Sequence, residues 1–81
     1  MTFPLLVFAI DREIFVGKAE SVCVPGADGE LQILAEHAPL IAQLKEGDVL
    51  IKTEDGTEQK LPITSGVLEV KENEVVVLVN F

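Results

Sequence analysis

The shortness of its apolar runs is what most limits the folds open to this chain. Val, Ile and Leu come in brief bursts, and turn residues interrupt each burst. No helical period is sustained. Ala38, Leu40, Ile41 and Leu44 are spaced for one helical turn, but Pro39 falls inside that run and the run is brief. The bursts therefore predict strands, over Phe3–Ile10, Glu13–Val16, Ala19–Val24, Glu30–Leu34, Leu40–Leu44, Val49–Thr53, Glu58–Ile63, Val67–Val70 and Val75–Val79. Many short strands with frequent turns predict an all-β fold, either a two-layer sandwich or a small barrel.

The turn chemistry agrees. "EDGT" at Glu54–Thr57 sets Asp55-Gly56 between two strand patterns, and Asp-Gly tolerates the positive φ of a type I′ hairpin. "KENE" at Lys71–Glu74 reads as a second hairpin. "PGADGE" at Pro25–Glu30 reads as a tight reversal. Alternation places Val49 and Ile51 on one face and Asp48 and Lys52 on the other. "VVVLV" at Val75–Val79 is apolar on both faces. One face fills the core, so the other needs a second sheet, a loop or a partner to cover it.

With 81 residues, 48% of them hydrophobic and 25% charged, the chain is expected to form a single domain over residues 1–81. A domain of this size buries only roughly 60% of the surface its unfolded chain exposes. That leaves little room for a deep pocket and favours a binding or assembly module. The formal net charge is −8, from 14 acidic and 6 basic residues. The resulting field disfavours nucleic acid and anionic lipid and favours a basic protein partner. There is no Trp or Tyr to stack on bases. The run Phe3–Ile10 is too short to span a bilayer, is interrupted by Pro4 and lacks the features of a secretory signal. The expectation is a cytosolic protein, or one facing the cytosol on a membrane-bound assembly without inserting itself. A lone cysteine, Cys23, forms no internal disulfide and reads as a buried small hydrophobe.

The stretch "VPGADGELQILAEHAPLIAQLKEG", Val24–Gly47, holds the only histidine, His37, and several acidic residues around it. Cys23, Asp28, Glu30, Glu36 and His37 match no zinc spacing, and the stretch supplies apolar residues where a calcium loop needs oxygen ligands. No metal site is expected. Ser21 and Ser65 lie in no nucleophile elbow, and no glycine-rich loop opens a helix to hold a phosphate. Neither catalytic residues nor a cofactor are expected. Pro39 fixes its own φ and pushes Ala38 toward an extended conformation, so the His37 loop is stiff and loses less entropy on docking. Two readings of His37 stay open: a solvated or carbonyl-bonded loop histidine, and a contact residue at a protein interface.

These residues resemble a family. "VPGADGELQIL", then "HAPL", then "LKEG", with the later "SGVLEV" and "VVVL", are similar in order and spacing to the epsilon subunit of F-type ATP synthases. The opening "MTFPLLVFAIDREIFVGKAESV" resembles that family's first two strands, so the likeness covers essentially the whole chain. There are departures. Ala35-Glu36 stands where the family commonly has Pro-Gly, Glu46 replaces a proline before Gly47, and Val67 replaces a glycine after Ser65. The sequence stops at Phe81, without the family's C-terminal helical hairpin.

The resemblance implies a small flattened two-sheet β-sandwich of about ten short strands. It implies a non-catalytic subunit of the rotor stalk, packed beside the gamma subunit on the polar loops of the membrane c ring and part of the wider ATP synthase complex. Its work there is mechanical, coupling ion-driven rotation of the ring to gamma at the cytoplasmic face of a bacterial inner membrane or an organelle equivalent. The family's ATPase inhibition and ATP binding belong to the hairpin, so neither is expected of these residues. By position in the motif, Glu30 and His37 are the c-ring candidates, and the resemblance implies a basic ring loop opposite Glu30. Glu36 is an addition peculiar to this sequence. The small side chain of Ala42 makes it the gamma candidate. Competing readings are a stand-alone acidic β-sandwich binding module and a minimal hydrolase using His37, which requires a hydroxyl or carboxylate within hydrogen-bond reach of the ring.

Overall fold

Nine strands carry the backbone of the computed structural model, which describes every residue from Met1 to Phe81. They are β1 (Phe3–Ala9), β2 (Arg12–Ala19), β3 (Ser21–Gly26), β4 (Gly29–Leu34), β5 (Leu40–Leu44), β6 (Gly47–Lys52), β7 (Glu58–Ile63), β8 (Ser65–Val70) and β9 (Val75–Asn80). Each expected burst became a strand, so the apolar pattern located all nine; the resemblance had implied about ten. The largest boundary difference is at β2, which runs on past Val16. Gly17 and Lys18 do not end it, because they pair with Leu5 and Pro4 of β1.

The hydrogen-bonded order is β2-β1-β9-β8-β5-β3-β6-β7, with β4 on the remaining edge of β3. One link in that path is thin. β5 meets β3 only at Leu44 and Gly26, flanked by bonds from Ala27 N–H to Gln43 O and from Lys45 N–H to Pro25 O, each 2.8 Å. The sheet folds over at this corner. A five-stranded layer, β2-β1-β9-β8-β5, then faces a four-stranded layer, β4-β3-β6-β7, which is the two-sheet sandwich. Gly47 helps make the corner possible: a side chain there would bring its Cβ within 2.7 Å of Pro25 Cβ.

Between the layers lies a core of sixteen apolar side chains drawn from both. Leu5, Ile33, Ile51 and Leu68 are its largest fully buried members. Each contributes about 1.5–3 kcal/mol relative to an exposed position. No buried side-chain polar atom lacks a hydrogen-bond partner.

The Asp55-Gly56 turn differs from expectation. Only Gly56 has a positive φ there, 87°, so it is not type I′. Gly56 N–H bonds to Thr53 O, and Thr53 N–H to Thr57 O, each at 3.0 Å, giving a longer loop from Thr53 to Thr57. Asp55 stays at negative φ because its carboxylate caps the loop from that position. Oδ1 accepts from the Thr53 hydroxyl at 2.5 Å and from Thr57 N–H at 3.0 Å.

Candidate functional site

His37 lies on the exposed connection between β4 and β5. Its ring Nδ1–H donates to Ala38 O at 2.6 Å. No hydroxyl or carboxylate is hydrogen-bonded to the ring, so the base–nucleophile arrangement that a hydrolase would need is not formed. No three His, Cys, Asp or Glu side chains converge in metal-binding geometry.

The loop owes its shape to Glu36. Its φ is 65°, and it is the only residue other than glycine with a positive φ. This is the position where the resembling family commonly has glycine. The backbone keeps the glycine-type turn and carries a charged side chain through it, at a cost of about 1–2 kcal/mol. The Ala35-Glu36 departure therefore leaves His37 on a tight turn. Glu36 and His37 share a shallow cleft with Met1–Pro4 and the Lys71–Glu74 turn.

Glu30 sits elsewhere, near the tip of the β3–β4 hairpin. β4 rises about 3.3 Å per residue, which sets Glu30 roughly 13 Å from Leu34, where the His37 loop begins. Glu30, Glu36 and His37 are thus not one cluster. They are strung along one side of the sandwich, on the edge strand β4 and the loop that follows it. All three are exposed. Ala42 of β5 is half-buried and packs against the core, lining a groove with Leu31 and Leu40 beside the hairpin tip. The outward-facing residues of β5 are its neighbours Ile41 and Gln43.

Cys23 is not in the core. It lies on the outer face of β3, paired with Gln32 and Leu50, and is only partly buried. Desolvation, then the charges of Glu30 and Glu58, raise its thiol pKa, which keeps it a weak nucleophile at neutral pH.

The largest unpaired feature is the outer face of the five-stranded layer. Paired residues share a face, so the register writes out two rows across it. One runs Val16, Leu6, Val76, Glu69, Ile41; the other runs Glu13, Phe8, Leu78, Val67, Gln43. Seven of these ten side chains are apolar. Ile41 is 71% exposed, Val16 55% and Leu78 52%. A contiguous apolar stripe on an open sheet face marks an interaction surface. The doubly apolar "VVVLV" signals part of it, since Val76 and Leu78 point outward while Val75, Val77 and Val79 fill the core. The contributions of Val16, Val67 and Ile41 depend on cross-strand register, which no single stretch of sequence reveals.

The sequence profile of the family described as "ATP synthase, Delta/Epsilon chain, beta-sandwich domain" matches residues 2–81. An ATP synthase epsilon chain of Delftia acidovorans (strain DSM 14801 / SPH-1) is 43% identical over 77 residues. The alignment covers 95% of this chain and 56% of that relative, so this chain spans about half the relative's length. Two solved structures share the fold. A chain of the Euglena gracilis mitochondrial ATP synthase, described as OSCP/F1/c-ring in rotational state 1, superposes with a TM-score of 0.90 at 21% identity. That match covers 96% of this chain and 50% of the other. A chain of the Tetrahymena thermophila mitochondrial ATP synthase, from a structure of the central stalk and c ring, gives 0.80 at 12% identity, covering 100% and 65%.

Proposed function

Because the chain belongs to the family of ATP synthase delta/epsilon chain β-sandwich domains, we propose that it works as a non-catalytic part of the central stalk, joining a gamma subunit to the membrane c ring. The observation that carries this reading is the open apolar face of the five-stranded layer. A small acidic domain gains from having such a face covered, and a large stalk partner would cover it. Ile41, Val67, Val76 and Leu78 are the gamma-facing residues on this reading. Ala42 turns inward against the core, so the outward contact of β5 on this face falls to Ile41 instead. The other contact is the side strung with Glu30, Glu36 and His37, which faces the basic loops of the c ring. Two surfaces on one rigid sandwich suit a mechanical coupler, and the chain's net charge of −8 suits a basic partner. The domain is then a peripheral component of a membrane-bound ATP synthase, at the cytoplasmic face in a bacterium.

Co-expression with the gamma subunit of the same organism tests this. The chain is expected to be recovered with gamma. Leu78→Lys is expected to weaken that capture at least tenfold while the domain stays folded by circular dichroism. Failure of the unaltered chain to bring down gamma, or undiminished capture by the folded Leu78→Lys variant, would overturn the assignment of this face.

A further inference from the structure

Four strand edges bound the two layers, and two of them are guarded. On β7 the guards are Lys60 and Pro62. On β2 they are Arg12, Glu13 and Lys18, with a bulge opposite Val7 and Phe8. Charges, proline and bulges at such places are how sheets refuse further strands. β5, with the sequence Leu-Ile-Ala-Gln-Leu, has no such guard.

Its open edge can be read from the register. Gln43 O bonds across the corner to Ala27 N–H, so Gln43 turns its backbone groups away from β8. In an antiparallel pair these directions alternate, so Ile41 does the same. Its N–H and C=O have no backbone partner on that side. β4 is open as well: it pairs only with β3, leaving the backbone groups of Glu30 and Gln32 on a free edge. Between the hairpin tip and β5 runs a groove with an apolar floor, Leu31, Leu40 and Ala42, and an acidic rim, Asp28 and Glu30. Neither rim carboxylate belongs to any of the three ion pairs in the protein.

We propose that this groove takes an extended basic segment of a partner protein, added as a strand to the free edge of β5. Unpaired backbone groups supply the pairing, the apolar floor receives alternate side chains, and Asp28 and Glu30 hold Lys or Arg on the others. The inference deepens the placing of Glu30 at the ring-facing side and rests on it for the partner's identity.

The probe is a short peptide alternating lysine and valine, titrated into the 15N-labelled chain. The expected result is slowed hydrogen exchange at the amide of Ile41, the β5 residue whose edge-facing groups are free, since Gln43 already faces Ala27. Affinity is expected to fall at least tenfold for the Asp28→Lys/Glu30→Lys variant. The same loss is expected for a peptide N-methylated on its edge-facing amides, a change that keeps the charge and removes the strand donors. Equal binding by the N-methylated peptide, or protection appearing along β2 or β7 instead, overturns the proposal. Proton-driven ATP synthesis by the assembled complex carrying Glu30→Lys separates this from the ring assignment. Lost synthesis without protection of Ile41 by the peptide sinks strand addition and keeps the ring contact. Protection with unchanged synthesis keeps the groove and removes the ring as its partner.

Discussion

At the scale of single residues, Glu36 shows how a sequence departure can leave geometry intact. The chain holds a φ of 65° there without glycine, and tertiary constraints on the β4–β5 connection impose it. Glu36→Gly is expected to stabilise the domain. Relief of the left-handed penalty, about 1–2 kcal/mol, exceeds the extra unfolded-state entropy of glycine, about 0.4–1 kcal/mol. The net gain of about 0.5 kcal/mol corresponds to a Tm rise of roughly 2–4 °C for a domain of this size. A fall in Tm by calorimetry would contradict it. Asp55 provides the pH-dependent counterpart. The Thr53 hydroxyl, then the Thr57 backbone, hold its carboxyl down at about 2, from an ordinary 3.8. A depressed pKa stabilises the fold above the unfolded value and loses that contribution as pH falls through the folded one. The Thr53–Thr57 loop is therefore expected to keep its shape down to about pH 4 and loosen between 3.8 and about 2. An NMR titration of the Asp55 carboxyl carbon with its midpoint near 3.8 would show that the cap does not form in solution. The Asp-Gly pair was legible as a turn, but its type was not, because the choice was made by Thr53 and Thr57 hydrogen bonds to the carboxylate.

Among the elements, β8 and β9 carry the clearest division of labour. Leu68 is fully buried, whereas Leu78 on the neighbouring strand points to the open face and is 52% exposed. Leu68→Ala is expected to cost about 2–5 kcal/mol through lost transfer energy and the cavity left behind. Leu78→Ala is expected to stay within about 0.5 kcal/mol of the unaltered protein. Urea denaturation of both variants checks this. Similar losses for the two would mean that Leu78 is covered within the domain and that the apolar face is not a free surface. Strand positions could be read from the apolar bursts because each burst is bounded by turn chemistry. The choice of outer face in "VVVLV" could not, since both of its faces are apolar and only the pairing with β1 and β8 decides which meets the core.

On the scale of the whole molecule, charge and topology act together. The field of a −8 domain reaches about 10 Å at 0.1 M salt, so contacts along the Glu30–His37 side are expected to weaken as salt rises. Glu30→Lys in an assembled complex is expected to lower proton-driven ATP synthesis while shifting the domain's Tm little, because Glu30 is exposed and makes no ion pair. Normal synthesis in that variant would take Glu30 out of the coupling contact. Glu30 and His37 could be named from motif position, Glu36 as an addition peculiar to this sequence and Ala42 from its small side chain, but their distribution could not. Glu30 and the His37 loop stand at opposite ends of β4, and Ala42 turns inward while Ile41 and Gln43 face out. By itself the sequence determined what is local: strand positions from apolar bursts, reversals from Gly, Pro and Asp, the negative field from its excess of carboxylates, and the family from the order of its motifs. Only the tertiary structure decided the curl at Gly26 and Leu44, the two apolar rows across five strands, and the unguarded edge of β5. Each of these depends on the register between strands far apart in the chain. A one-residue slip would turn every side chain of a strand to the opposite face, and that register is set by the packing of two layers around a shared core.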